Sequence, residues 1–313
     1  MRLALGQLNA TIGDFAGNAA KIEALWKDAE AAKADLLLVP EMALCGYPPR
    51  DLLDRPYFLS ESARVLAELT RRAGKTALLV GTVLPNPSKT GKPLFNAAAL
   101  LRNGRVAAVA RKCLLPAYDV FDEARHFEPA GAPTLARLAG RKVGLTICED
   151  LWNDKDFWRV RRLYRDDPGE ALLARGADLV VNVSASPFSE GKPRLRRRML
   201  ARLARDGGVP VAYLNLVGGN DELVFDGGSM VLDGTGRVRA RAALFEEDFL
   251  VVDLDGASAT PVAGAGREDL ADDAEGEPLE SLRRALVLGI RDYARKCGFR
   301  SAVVGLSGGV DSA

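Results

Sequence analysis

Short apolar runs alternate with amphipathic helical stretches through the first 255 of 313 residues, and two tight-turn signals are interleaved with them. Leu3–Leu8, Asp35–Val39, Thr76–Leu84, Arg141–Ile147, Ala177–Val183 and Val209–Leu216 are too short for helices and apolar enough to be strands buried within a sheet. Between them, Asn18–Lys33, Arg55–Arg72, Gly169–Arg175 and Lys192–Arg205 carry helical patterning. Asn103-Gly104 separates Leu94–Leu101 from Arg105–Arg111, a strong hairpin signal. A second turn, Asp233 to Gly236, separates Gly228–Leu232 from Arg237–Ala243, and Phe249–Leu254 closes the series. Such a pattern requires α/β layers around mixed sheets, and two sheets face to face with helices outside satisfy it.

Residues 256–278 change character. They are rich in Ala, Gly, Asp, Glu and Pro, lack apolar periodicity and read as a linker between a domain of residues 1–255 and a further unit of residues 279–313. Leu279–Lys296 predicts a helix with Leu282, Leu286, Ile290 and Tyr293 on one face, and Cys297 is expected in that unit's core. The run Ser301 to Leu306 then predicts a buried strand feeding Ser307-Gly308-Gly309-Val310-Asp311-Ser312. Adjacent glycines let backbone N–H groups converge on an anion, and a helix opening at Asp311-Ser312 would favour phosphate. The chain is therefore expected to be the front part of a longer enzyme.

Charge and composition exclude several classes. With 43 basic and 42 acidic residues, there is no electrostatic case for nucleic acid or an anionic membrane. The basic run Arg194 to Arg198 reads as a solvated helix face. No leader or membrane span is evident and four cysteines make no disulfide framework, so the cytosol is expected. The single histidine, His126, rules out a histidine metal cluster and leaves a Ser-His or Cys-His hydrolase one candidate base. It is read as a loop residue. No metal is expected in the first domain.

Chemistry-bearing residues sit where three strands run out: Glu41 after Leu36 to Pro40, Lys112 after Val106 to Arg111, and Cys148 after Val143 to Ile147. Strand ends are where sites form in layered α/β folds. Each residue also has a plain reading: a small buried thiol, an exposed glutamate, an edge lysine. Their surroundings separate the two. Pro40-Glu41-Met42-Ala43-Leu44-Cys45-Gly46-Tyr47, then Arg111-Lys112-Cys113-Leu114-Leu115-Pro116 with Phe121 to Phe127, then Ile147-Cys148-Glu149-Asp150-Leu151-Trp152, resemble in that order the nitrilase superfamily of carbon–nitrogen hydrolases. The resemblance spans residues 1–255. It implies a four-layer αββα nitrilase-like sandwich and a Glu41-Lys112-Cys148 triad.

The terminal Ser307 to Ser312 segment resembles the pyrophosphate loop of ATP-pyrophosphatase-type amidotransferases, which implies the first helix and strand of a Rossmann-like α/β synthetase domain. The combination is similar to the glutamine-dependent NAD synthetases. The resemblance implies that Cys148 splits glutamine into glutamate and ammonia, with Glu41 as base and Lys112 on the oxyanion. Glu123 would orient Lys112, where its plain reading is a surface carboxylate. The Glu149 N–H would supply a second oxyanion donor. Tyr118, Glu149, Ser186 and Lys192 would hold glutamine, although Lys192 also reads as a solvated helix start and Tyr118 as packing on Phe121. The ammonia would aminate an ATP-activated, adenylylated nicotinic acid adenine dinucleotide, with Mg²⁺ near the ATP and Ser307 to Ser312 on its phosphates. A homo-oligomer is expected. The alternatives are a stand-alone amidase or ω-amidase of the nitrilase type, which leaves the terminal loop unexplained, and a nucleotide-binding module, which leaves the three strand ends unexplained. Cys45 and Cys113 have no base of their own and are read as structural.

Overall fold

A computed structural model describes residues 1–155, 157–255, 260–263 and 278–310. The first half runs β1 (Arg2–Gln7), α1 (Phe15–Ala31), β2 (Leu36–Leu38), α2 (Pro56–Arg72), β3 (Ala77–Pro85), β4 (Leu94–Arg102) and β5 (Arg105–Arg111). β1, β2 and β3 are parallel, and β4 and β5 continue the sheet antiparallel. The β4–β5 turn places both Asn103 (φ +50°) and Gly104 (φ +73°) in left-handed backbone, as a two-residue hairpin requires.

The second half runs β6 (Thr134–Leu138), β7 (Arg141–Ile147), α3 (Pro168–Ala174), β8 (Leu179–Ser184), α4 (Lys192–Gly207), β9 (Val211–Asn215), β10 (Val217–Asn220), β11 (Leu223–Asp226), β12 (Met230–Leu232), β13 (Val238–Arg241), β14 (Asp248–Asp253), β15 (Thr260–Ala263) and α5 (Pro278–Lys296). One sheet is ordered β15-β14-β1-β2-β3-β4-β5 and the other β13-β12-β9-β8-β7-β6, with β10 and β11 forming a separate hairpin. Strand β6 and the β10–β11 hairpin were not legible as strands. β15 falls within residues 256–278, and the rest of that expected linker, up to residue 277, lies outside the described residues.

Side-chain alternation stacks the layers. Leu3, Leu5, Leu36, Leu38 and Leu79 of the first sheet meet Leu145, Leu179, Val181 and Leu214 of the second in one core. The opposite face of the first sheet, with Ala4, Leu37 and Val80, packs on Ile22 and Trp26 of α1 and Val65 and Leu69 of α2. The opposite face of the second, with Val180 and Val211, packs on Leu172 of α3 and Met199, Leu200 and Leu203 of α4. The result is the expected αββα sandwich.

Helix α5 departs from expectation in the face it buries. Leu282, Leu286, Ile290 and Tyr293 are exposed, and Ala285, Leu288 and Asp292 are buried instead. That face lies on the β10–β11 hairpin, where Ala285 and Leu288 pack with Val217 and Phe245. Cys297 is exposed rather than in a core. Residues 301–307 form no strand, and Val303, Val304 and Leu306 are exposed. A strand needs a paired neighbour, and the described residues offer none there. No helix among the described residues is long and apolar enough to cross a membrane.

Candidate active site

Three strand ends bring their charges together. The segment after β2 turns sharply, with Met42 at φ +48°, and lays Glu41 against β3. Gly81 permits this: a Cβ there would lie 2.3 Å from both the Pro40 carbonyl and the Met42 nitrogen. Lys112 follows β5 and is 1 % exposed, as is Glu41. Its Nζ donates to Glu41 Oε1 and Glu123 Oε1, both at 2.8 Å. Glu123, from the short 3-10 turn Glu123–Arg125, is buried rather than a surface carboxylate.

The remaining carboxylate oxygens are also met. Asn96 Nδ2, from β4, donates to Glu41 Oε1 at 2.6 Å and to Glu123 Oε2 at 3.2 Å. The Ala185 N–H donates to Glu41 Oε2 at 2.8 Å, and the Tyr47 hydroxyl to Glu123 Oε1 at 2.8 Å. Burial alone would pull the Lys112 ammonium down, but Glu123, Glu41 and Cys148 overcome this and hold it well above the ordinary lysine value. Burial raises the Glu123 carboxyl, against the pull of Lys112 and with the push of Glu41.

Cys148 opens the 3-10 turn Cys148–Leu151 at the end of β7, in left-handed backbone at φ +43°. Strain of this kind collects at functional sites. Asp150 fixes the turn. Its Oδ2 accepts from the Ile147 N–H at 2.9 Å, and its Oδ1 from the N–H groups of Cys113 and Leu114 at 2.8 and 3.0 Å. One buried carboxylate thus ties the cysteine turn to the residues that follow Lys112. Burial pushes its carboxyl up to about 7 against these amide donors. The Cys148 thiol is held well above the ordinary thiol value by burial and then by Glu41, while Lys112 opposes them. Burial also raises Cys45, to about 12, and Cys113.

Cys148 and Glu149 line a cavity of about 820 Å³ together with Tyr118, Phe121, Trp152, Ser186 and Lys192. Tyr118 packs edge-on to Phe121 and donates its hydroxyl to both Glu149 oxygens, at 2.9 and 3.1 Å. Ser186 is fixed by Asn215, whose Oδ1 accepts from the Ser186 N–H at 2.8 Å. Lys192, the first residue of α4, has its ammonium 5.5 Å from the Trp152 ring centre. Burial, then Arg196, depresses its pKa, so it is not a freely solvated helix start.

The basic run of α4 is exposed at Arg194 and Arg198, as a solvated face requires, but not at Arg196. Arg196 is fully buried, forms two bonds to Asp226 at 3.0 and 3.1 Å, and lies over the Tyr213 ring. The signal was present: three, four and seven residues on lie Met199, Leu200 and Leu203. His126 ends the Glu123–Arg125 turn, with Nδ1 3.8 Å from Asp54. Ser307, Gly308, Gly309 and Val310 are exposed and do not line the cavity. The Gly309 N–H donates to Ser307 Oγ at 3.3 Å, and Gly308 has φ +80°. The expected phosphate contacts Asp311 and Ser312 lie outside the described residues.

The carbon–nitrogen hydrolase family model matches residues 2–263, and the NAD synthase family model matches residues 282–313. The glutamine-dependent NAD(+) synthetase of Synechocystis is 45% identical over 99% of this chain and 55% of its own length. That of Thermotoga maritima is 41% identical over 100% of this chain and 56% of its own. The chain spans about half the length of these curated relatives. Among solved structures, the glutamine-dependent NAD+ synthetase of Acinetobacter baumannii, in complex with ADP, superposes with a TM-score of 0.86 at 31% identity, covering 99% of this chain and 55% of that one. An amidase of Nesterenkonia sp. AN1, in a variant with acrylamide added at its active-site cysteine, superposes with a TM-score of 0.67 at 28% identity, covering 81% and 93%.

Proposed function

The chain belongs to the carbon–nitrogen hydrolase family, and from that premise we propose that it hydrolyses the side-chain amide of glutamine at Cys148 and feeds the ammonia to a synthetase reaction that makes NAD. The observation that carries the hydrolytic half is the Lys112 ammonium held between two buried carboxylates, in electrostatic reach of a cysteine on a cavity wall.

With both carboxylates ionised, two negative charges face one positive charge. Glu41 Oε2 has one N–H donor and a lone pair to spare, so it can receive a proton. The resting thiol keeps its proton. As Sγ attacks the amide carbon, the proton passes to Glu41 and the carbonyl oxygen becomes an oxyanion, stabilised by Lys112 and the Glu149 N–H. The C–N bond then breaks, Glu41 returns the proton to the leaving nitrogen, and ammonia departs from a thioester. Water attacks the thioester with Glu41 again as base, releasing glutamate and restoring the thiol.

Glu123 keeps Lys112 aimed, and Tyr47 and Asn96 keep both carboxylates in place. At the far end of glutamine, Lys192 and Ser186 meet the α-carboxylate and Glu149, held by Tyr118, meets the α-ammonium. The NAD synthase match over residues 282–313 and the full-chain similarity to NAD synthetases favour this reading over a stand-alone amidase. In the synthetase half, ammonia displaces the adenylyl group from an activated nicotinic acid adenine dinucleotide. Ser307, Gly308, Gly309, Val310, Asp311 and Ser312 would hold the phosphates of ATP, and Mg²⁺ would neutralise part of the phosphate charge. The open space around Gly308 and its left-handed backbone suit such a turn. Ammonia release from glutamine tests the hydrolytic half: Cys148→Ala abolishes it, and equal release by both proteins refutes the assignment.

A further inference from the structure

The buried carboxylate of Glu149 has a second hydroxyl donor that no sequence pattern brought to it. Oε1 accepts from Tyr118 at 2.9 Å and also from the Tyr164 hydroxyl at 3.0 Å. Glu149 is 4 % exposed, lines the cavity beside Cys148, and forms no ion pair with any of the described residues. A carboxylate with no cation in direct contact is costly to bury, and neutral donors with the more distant Lys192 charge offset only part of that cost. A ligand ammonium would complete it.

Tyr164 is held from the turn that carries the nucleophile. Asn153, two residues beyond that turn and 1 % exposed, donates Nδ2 to the carbonyls of Tyr164 and Asp166 at 2.9 and 2.6 Å. Its Oδ1 accepts from the Tyr164 N–H at 3.3 Å. A buried side-chain amide thus grips the backbone on both sides of Tyr164. The Trp152 N–H, bonded to the Glu149 carbonyl at 2.8 Å, joins the grip to the turn.

We infer that Tyr164, clamped by Asn153, is a positioning residue for substrate selection: its hydroxyl fixes the Glu149 carboxylate so that an amide bearing an α-ammonium is preferred over one without it. The inference rests on the glutamine-hydrolysis reading and adds a residue to it. Tyr164→Phe removes one oxygen from a half-buried ring and leaves the packing in place.

The test is made on the complete gene product, with L-glutamine and with glutaramate, which keeps the amide and the distal carboxylate but lacks the α-amino group. For Tyr164→Phe, kcat/KM for glutamine falls about tenfold, mostly through KM, as expected for a lost hydrogen bond to a charged group. The value for glutaramate stays as in the unsubstituted protein, so the preference between the amides shrinks. An equal loss for both amides, or no loss for glutamine, overturns the inference. If Cys148→Ala still hydrolyses glutamine, the hydrolytic reading fails and this inference fails with it. If Cys148→Ala is inactive and Tyr164→Phe behaves as the parent, only the role of Tyr164 is lost.

Discussion

At Glu41, donors from three strands converge on one carboxylate: Asn96 within β4, Lys112 after β5 and the Ala185 N–H after β8. These contacts fix where a transferred proton would be received. The same negative charge helps keep the neighbouring thiol protonated at rest. Glu41→Gln therefore separates two effects. On the proposed reading, losing the general base should lower glutamine hydrolysis by about 10² to 10⁴-fold. Removing a negative charge beside the sulfur stabilises the thiolate, so the Cys148 pKa moves down. The pH profile of Cys148 alkylation by a neutral reagent should accordingly shift to lower pH in the variant that turns over most slowly. A shift to higher pH would mean that Glu41 does not face the thiol.

At the scale of elements, the site depends on backbone that only certain residues allow. The Pro40-Glu41-Met42 turn lies so close to β3 that an added Cβ on Gly81 would collide with backbone rather than with a movable side chain. Gly81→Ala should therefore displace Glu41 without touching any reacting group. A displacement near 1 Å costs about 10²-fold in rate, so kcat should fall by about that much while circular dichroism stays native. The three strand ends were legible because an apolar run that stops at a charged or nucleophilic residue is a local pattern. Asn96 was available in the same way, as a polar residue inside the apolar strand Leu94 to Leu101. Tyr47, Tyr164 and Asp226 were not, because their partners lie 76, 15 and 30 residues away and no local period encodes them. Arg196 was misread because a run of arginines reads as solvated unless helical phase is weighed above charge.

At the scale of the whole molecule, the two sheets share one core while α5 is attached by polar contacts beside an apolar strip. Asp292, 1 % exposed, accepts from Asn9 Nδ2 at 2.6 Å and from the Gly219 N–H at 2.9 Å. The Lys296 ammonium has four acceptors: Asn9 Oδ1, Asn220 Oδ1 and the carbonyls of Ala10 and Gly219, at 2.6 to 3.0 Å. Gly289 and Gly219 let helix and hairpin approach, since a Cβ on Gly219 would lie 3.0 Å from the Gly289 Cα. Lys296→Met removes the ammonium donor from Asn9, Asn220 and the carbonyls of Ala10 and Gly219. It should speed amide hydrogen exchange in α5 at least tenfold, by the loss of a charge-assisted contact, and leave β1 to β3 unchanged. The sequence signalled the helix but pointed to its other face, because Leu282, Leu286, Ile290 and Tyr293 outweigh Ala285 and Leu288 in any apolar count. The measurement that bears most directly on the account is rapid-quench peptide mass spectrometry during glutamine turnover. A γ-glutamyl group on the peptide carrying Cys148, released by neutral hydroxylamine, is the predicted result; glutamate formed with no acyl group on Cys148, or with the group on Cys45 or Cys113, would contradict it.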